Sequence, residues 1–241
     1  MKLGPIHYHD TESAQTVHLG APYHQESTGR TWKYAENGAT EADPGKLMCS
    51  AATVGANHAN LSFATAPAAG DKELKVTLGG TAATADQYRD GFANVQDGTG
   101  EGIAYPVGSH KAQTSTTGTL TLPIAHGEEV QVAGALAESN VDLVKNKYKD
   151  VVISSTDQAD PAVGVFNVTV AIDYFGMLQT WGPAAVWQDT TSAIGDRLTI
   201  GSGVAGQVEV DDAAGEPYIG HLGPNTAVAT EYQLVYLTID R

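Results

Sequence analysis

The histidines near the start of the chain are the first residues whose spacing could do chemistry. His7 and His9 are separated by a single residue, so a strand would place both imidazoles on one face, as in half of a transition-metal site. No carboxylate or thiol stands at a spacing that would complete the site. We therefore predict no bound metal, and we expect these imidazoles to contact solvent or the surface of a partner protein.

A loop rich in oxygen atoms is the second candidate. Asp97, Thr99 and Glu101 supply oxygen atoms at alternate positions, and a glycine takes the sixth place, as in an EF-hand calcium loop. The twelfth place is Gly108, where such a loop needs a bidentate glutamate. The sequence favours a glycine-rich hairpin connection, and whether an ion occupies the loop stays open.

The candidate nucleophiles lack the neighbours that would activate them. Cys49 is the only cysteine, and it has no His-Asn arrangement nearby. Ser202 lies between two glycines, but the surrounding residues do not form the Gly-x-Ser-x-Gly elbow of hydrolases. Aspartates and glutamates are abundant, so spacing alone leaves the facing carboxylates of a glycosidase open. We predict that the protein is not an enzyme and that it uses no cofactor.

The charge balance narrows the range of partners. The chain has 13 Lys and Arg residues against 28 Asp and Glu residues, which gives a formal net charge of −15. Such a field repels phosphate groups, so we expect no nucleic-acid partner. It is typical of a halophilic source or of a particle surface, where salt screens the charge.

The sequence also bears on targeting and membranes. The first residues, MKLGPIHYHD, lack the apolar segment of a secretory signal, and no run approaches the roughly 18 apolar residues that a membrane helix needs. The single cysteine excludes an intrachain disulfide. We expect a soluble protein without an export route or a membrane partner, whose fold depends on packing alone.

Strand patterns dominate the elements that would position these residues. The densest apolar segment, residues 163–186, alternates at Phe166, Val168 and Val170 and breaks before Gly182, which predicts two buried strands joined by a turn. Further strands are predicted at 31–35, 74–78, 119–124, 130–132, 218–222 and 232–239, the last of them covered on both faces. The predicted fold class is all-β, an antiparallel β-barrel or sandwich, with a β-tulip-like fold among the alternatives.

The predicted organisation is an extended N-terminal arm, residues 1–30, followed by a β body, residues 31–241. The body is long enough for two lobes, 31–135 and 136–241, as an alternative to a single unit. The arm has no sustained apolar period, so we expect it to be held by contacts with another protein.

Residues 139–150 are the one stretch whose pattern permits a helical turn. Three lysines follow each other at alternate positions here, Lys145, Lys147 and Lys149. They form the compact basic patch of an otherwise acidic chain. The patch is a candidate for docking onto an acidic neighbour, with a solvated surface as the alternative.

Several segments in order carry a resemblance to a known family. They are KYAENGA, PGKLMCSA, LKVTLGGTAATADQY, DGTGEG, VDLV, YKDVVI, YFGMLQTWGPAAV and TEYQLVYLTID. Together they resemble the head decoration, or cement, proteins of tailed viruses from marine or saline habitats. The resemblance implies a β-rich structural virion protein, a homotrimer on the outer surface of the capsid, which bridges subunits of the major capsid protein. It implies no catalytic residues, and this chain is about twice as long as the smallest decoration proteins.

Aromatic residues near the N-terminus are the candidate contacts to the capsid. They are Tyr8, His9, Tyr23, Trp32 and Tyr34. We expect them to anchor the arm, since aromatic side chains often dominate the energetics of protein interfaces. The alternative function is a carbohydrate-binding or host-attachment module of the virion, because ten tyrosines and three tryptophans in a β framework could stack on sugars.

Overall fold

The computed structural model describes residues 7–52, 54–136, 138–158, 161–212, 215–225 and 228–241. Strands make up 39% of the protein, and the strands named below pair in antiparallel ladders, so the predicted all-β class is confirmed. One turn of 3₁₀ helix, Gly55–Asn57, is present. Among the described residues, no helix has the length and apolar character needed to cross a membrane.

Seventeen strands follow one another along the chain. They are β1 Thr11–Glu12, β2 Pro22–Gln25, β3 Arg30–Glu36, β4 Leu47–Cys49, β5 Leu61–Ser62, β6 Glu73–Thr77, β7 Phe92–Asp97, β8 Ala104–Pro106, β9 Thr119–Pro123, β10 Asn140–Val144, β11 Val152–Ile153, β12 Ala162–Phe166, β13 Phe175–Trp187, β14 Arg197–Ile200, β15 Val208–Val210, β16 Gly220–Leu222 and β17 Tyr232–Thr238. The strands belong to two compact units. Unit 1 contains residues 1–51 and 147–241, and unit 2 contains residues 52–146.

This division differs from the predicted lobes, 31–135 and 136–241. Strand β4 pairs with β11 and with β12, which follow it by about a hundred residues. The chain therefore leaves unit 1 after β4, builds unit 2, and returns to complete the first sheet. Pairing over such a distance leaves no local pattern in the sequence.

Unit 1 is built on one curled sheet. Its strands follow the order β11-β4-β12-β13-β17-β16-β14-β15, with β1 and β3 also paired to β13 and β2 paired to β3. A parallel bridge between Gln188 and Val208 brings β15 back to the end of β13. The sheet thereby curls around a core that includes Val186, Leu198 and Leu237.

The central strand β13 corrects the prediction that the ladder ends at Gly182-Pro183. β13 runs for 13 residues through both of them, and its second half pairs with β17. The ladder to β3 shifts register between Gln179 and Trp181, and Gly182 has a φ of +82°. The glycine thus forms a local irregularity within a continuous strand, since its backbone adopts a conformation that other residues avoid.

The described part of the predicted arm belongs to the sheet of unit 1. β1 pairs with β13, β2 pairs with β3, and the side chain of Leu19 is buried. The expectation of an arm held by another protein is therefore wrong for residues 7–30. These strands are two and four residues long, and strands so short show little periodicity.

Unit 2 contains a four-stranded sheet, β5-β10-β7-β8, and a two-stranded sheet, β6-β9. The alternating segments at 74–78 and 119–124 form β6 and β9, and the hairpin predicted across residues 97–102 joins β7 to β8. The helical turn predicted within 139–150 is wrong, because Val141 and Leu143 point into the core of strand β10. The strand predicted at 130–132 does not form.

Candidate binding surface

One face of strands β13, β17 and β16 presents aromatic and apolar side chains to the outside of unit 1. Side chains alternate between the two faces of a strand, and directly paired residues share a face. The outward residues of this "aromatic face" are Trp181, Pro183, Ala185, Trp187, Tyr232, Leu234, Tyr236 and His221. Their neighbours in the chain, such as Val186, Val235 and Leu237, point inward and are buried.

Cross-strand pairs give the aromatic face its order. The rings of Trp187 and Tyr232 stack with centroids 6.4 Å apart, and the rings of His221 and Tyr236 stack at 5.3 Å. Tyr232 is 51% exposed and Leu234 is 37% exposed. Aromatic pairs on neighbouring strands contribute to sheet stability, but here they also leave apolar surface in water.

The charge of the aromatic face contrasts with the acidity of the chain. Its outward residues include no carboxylate, whereas cations lie at its edges. Lys46 lies 5.7 Å from the ring centroid of Trp187, and Arg241 lies 5.6 Å from that of Trp181. Such cation–π contacts hold positive charge against the rings. The face is therefore apolar with a cationic border.

A groove with a volume of about 560 Å³ adjoins the aromatic face. Tyr232 and Ala185 belong to both, and Tyr8, Arg30 and Asn167 also line the groove. This volume lies in the range typical of small-molecule sites. The groove and the face together are the surface of unit 1 most suited to binding.

The sequence reasoning missed this surface because it assigned both faces of residues 232–239 to the core. The burial of β17 alternates instead, with Val235 and Leu237 inside and Tyr232 and Leu234 outside. Tyrosine and leucine are compatible with either environment, so their types gave no warning. The signal that could have found the surface is the matching alternation of Trp181 and Trp187 in the partner strand.

Two of the predicted capsid contacts lie in the core of unit 1. Trp32 and Tyr34 are fully buried, so their assignment as surface anchors is wrong. Tyr8 and Tyr23 are half-buried and pack against the Trp32 ring, with centroid distances of 5.0 Å and 5.6 Å. His9 is exposed. An aromatic residue on a strand has the same sequence signature in a core and at an interface.

The predicted basic patch is not assembled as a set of free cations. Lys147 donates to Asp240 at 2.6 Å, and Lys149 pairs with Glu36. Burial raises the pKa of Glu36, and the hydrogen bond and charge of Lys149 act in the opposite direction. Lys145 is half-buried and belongs to unit 2, whereas the other two lysines belong to unit 1.

The remaining chemical candidates sit in structural surroundings. His7 and His9 have ring centroids 6.2 Å apart, and the described ranges hold no group of three or more His, Cys, Asp or Glu side chains that could bind a metal ion. The Asp97 carboxylate accepts from the Gly98 backbone at 2.8 Å. Cys49 is buried in the core, and Ser202 donates to Glu209 at 3.1 Å.

Unit 2 contains one buried polar cluster of histidine and tyrosine. His58 Nε2 lies 2.9 Å from the Thr81 carbonyl oxygen and donates to it, so its Nδ1 accepts from the Tyr88 hydroxyl. His110 Nε2 accepts from the Tyr88 backbone at 3.0 Å. Burial raises the pKa of Tyr88, which keeps the hydroxyl protonated as a donor. The mutual satisfaction of these groups indicates a structural role.

Asp240 anchors the end of β17 to the start of the second part of unit 1. Its carboxylate accepts from Lys147 and from the Tyr148 hydroxyl, each at 2.6 Å, and lies 3.6 Å from Lys33. Burial by itself would raise the pKa of Asp240, but these hydrogen bonds and the lysine charges outweigh it and lower the pKa. Burial raises the pKa of Tyr148, and the bond to Asp240 adds to that shift.

Asp240→Asn is expected to lower the free energy of unfolding at pH 7 by about 1 kcal/mol, since a partly exposed pair is screened by solvent. Because the folded pKa of Asp240 lies below its ordinary value of 3.8, its stabilising contribution is present above that value and is lost as pH falls further. Urea titrations between pH 7 and pH 2 should show the two proteins converging below pH 3.8. Glu41→Gln, at an exposed carboxylate of unit 1, is the control, and a constant difference at all pH values would contradict the assignment.

Comparisons of the chain with protein-family models, with curated proteins and with solved structures gave no match.

Proposed function

We propose that this chain is a structural virion protein that decorates the outer surface of a tailed-virus capsid and stabilises it by bridging subunits of the major capsid protein. Two observations support the proposal. The first is the resemblance of its ordered segments to head decoration proteins. The second is the aromatic face, which is the observation that carries the argument.

The shape and composition of the aromatic face suit adhesion to another protein. Protein interfaces are enriched in tyrosine, tryptophan and arginine and depleted of acidic residues at their centres. The face has this composition in a chain where carboxylates outnumber cations by 28 to 13. A flat sheet surface offers many modest contacts, which is what holding a shell together against internal pressure requires.

The distribution of charge supports an orientation on the particle. If the aromatic face meets the capsid, the excess of carboxylates remains on the surfaces that contact solvent. A strong negative charge in solvent keeps particles apart and soluble, and salt makes the repulsion within each protein tolerable. We extend the proposal to a homotrimer, the assembly usual among decoration proteins.

The test compares two substitutions that introduce the same charge at exposed apolar positions. Leu234→Asp lies at the centre of the aromatic face, and Ile194→Asp lies outside it at a residue that is 64% exposed. Each protein is added to shells of the tailed virus that have been stripped of the natural protein, and occupancy is measured by quantitative electrophoresis and cryo-electron microscopy. Leu234→Asp is expected to lower the apparent affinity at least tenfold, because a buried unpaired carboxylate costs more than about 1.4 kcal/mol.

The wild-type protein and Ile194→Asp are expected to bind alike, and light scattering of the free protein is expected to give three times the 25.1 kDa chain mass. Equal occupancy by Leu234→Asp and the wild type would refute attachment through the aromatic face. Failure of the wild-type protein to bind any shell would refute the capsid function as a whole.

A further inference from the structure

The groove beside the aromatic face contains a cation that the fold does not use. Arg30 forms no ion pair with the carboxylates of the described chain, and its buried Nε atom has no hydrogen-bond partner there. In contrast, Lys46 pairs with Asp43 at 2.7 Å and Arg197 pairs with Asp211 at 3.1 Å in the same unit. An unpaired guanidinium in so acidic a protein is available to a ligand.

The backbone that carries Arg30 is held in one place. A Cβ atom on Gly182 would come within 2.6 Å of the Gly29 carbonyl oxygen and 3.2 Å of the Arg30 Cα atom. The turn between β2 and β3 therefore lies directly on β13, in a space that only glycine leaves open. Arg30 is the first residue of β3 after this turn. The base of its side chain is thus positioned before any ligand arrives, which lowers the entropic cost of binding.

Aromatic rings line the groove on two sides. Tyr232 packs its ring against Gly45, where an added Cβ atom would come within 2.6 Å of a ring carbon. The Tyr8 ring stacks on Trp32 with centroids 5.0 Å apart. Both rings are thereby supported from behind while they line the cavity. Supported rings offer flat apolar surfaces of the kind that pack against the C–H face of a sugar.

Asn167 adds a polar group that can read hydroxyls. Its Nδ2 donates to Gln179 Oε1 at 3.0 Å, which fixes the orientation of the amide. The carbonyl oxygen of that amide has no partner within the described part of the chain and is free to accept a hydrogen bond. The groove thus combines one cation, one oriented acceptor and two apolar ring surfaces.

We propose that this groove binds a sugar that carries a single carboxylate, such as a uronic acid unit of an acidic polysaccharide. Arg30 pairs with the carboxylate through two parallel hydrogen bonds, the ring of the sugar packs on Tyr232, and Asn167 accepts from a hydroxyl. One free cation matches one negative charge. A phosphate dianion or a nucleic acid would meet the repulsion of a chain with net charge −15. This activity goes beyond capsid attachment and does not depend on it, since Arg30 is not part of the aromatic face.

The test is a calorimetric titration of the full chain with D-glucuronate, with neutral D-glucose and with acetate. Glucuronate is expected to bind at least tenfold more tightly than either of the others, because only it offers both the carboxylate and the ring. Arg30→Gln is expected to lower the affinity for glucuronate at least tenfold, while Arg30→Lys, which keeps the charge but not the fork, retains an intermediate affinity. Arg197→Gln makes the same charge change outside the groove and is expected to bind as the wild type does.

Three results would overturn the proposal. They are an absence of glucuronate binding to the wild-type protein, equal affinity in Arg30→Gln and Arg197→Gln, and acetate binding as tight as that of glucuronate, which would mark a simple anion site. The unfolding midpoint of each variant, followed by tryptophan fluorescence, identifies a variant that fails to fold. In that event the comparison of the three ligands on the wild-type protein still decides the question. Because these measurements need no shells, their outcome is separate from that of the capsid experiment.

Discussion

Trp32→Ala is expected to lower the free energy of unfolding of unit 1 by about 4 kcal/mol, the largest effect we predict for a single side chain. Trp32 is fully buried, and the rings of Tyr8 and Tyr23 pack on it. Removal of the indole would leave a cavity among side chains held by the ladder between β3 and β13. Since the surrounding strands cannot close that space, the lost contacts are not replaced.

The measurement can be confined to unit 1. All three tryptophans, Trp32, Trp181 and Trp187, belong to this unit, so the two that remain report its unfolding in urea by fluorescence. Hydrogen exchange of residues 52–146, followed by mass spectrometry, reports unit 2 and is expected to change little. Trp32→Phe is the control. The indole Nε1 has no hydrogen-bond partner among the described residues, so its removal relieves an unsatisfied donor and the variant is expected to lose only about 1 to 2 kcal/mol.

The result also decides between two roles for Trp32. A surface anchor would tolerate alanine with little loss of stability and would lose binding to shells. A core residue would lose stability first. If Trp32→Ala unfolds within about 1 kcal/mol of the wild type, the burial described here is contradicted and the role as an anchor returns.

Local patterns were sufficient where a strand and its environment are both local. The alternation of Leu74 with Val76 and of Leu120 with Leu122 predicted β6 and β9, because a two-residue period reports that the faces of a strand differ. The glycine-rich hairpin after Asp97 was predicted for the same reason. These elements depend on residues that are neighbours in the chain.

The sequence pattern could not show what covers each face. Trp32 and Tyr232 are both aromatic residues on strands, yet the first lies in the core and the second is half exposed. The difference is set by partners far along the chain, as when β13 pairs with β3 on one part of its length and β17 on another. The carboxylate of Asp240 likewise meets Lys147, 93 residues earlier. Burial and charge pairing are properties of the assembled sheet, so alternation alone cannot assign them.

The same limit applied to the candidate site. The groove is lined by Tyr8, Arg30, Asn167 and Tyr232, which come from four separate parts of the chain. No spacing rule connects them. Arg30 attracted no notice in the sequence because an arginine beside a turn is ordinary. It becomes distinctive only when the structure shows that no carboxylate approaches it.

Leu237→Ala and Leu234→Ala form the second test with a large expected effect. The two leucines lie on β17 three residues apart, and they point to opposite faces. Leu237 is 1% exposed and belongs to the core of unit 1, whereas Leu234 is 37% exposed on the aromatic face. Leu237→Ala is expected to cost about 3 kcal/mol and Leu234→Ala less than about 1 kcal/mol.

The neighbours of Leu237 explain why its loss is not compensated. It pairs with Gly182 on β13 and with Gly220 on β16, so no side chain flanks it on either adjoining strand. A cavity between two glycines cannot be filled by a change of rotamer next to it, and the strands cannot move closer because a Cβ on Gly182 would already contact the Gly29 carbonyl oxygen at 2.6 Å. Urea unfolding monitored by tryptophan fluorescence gives both values. Similar costs at the two positions would mean that both faces of β17 are covered, and the aromatic face could not then be the surface that attaches the protein to a capsid.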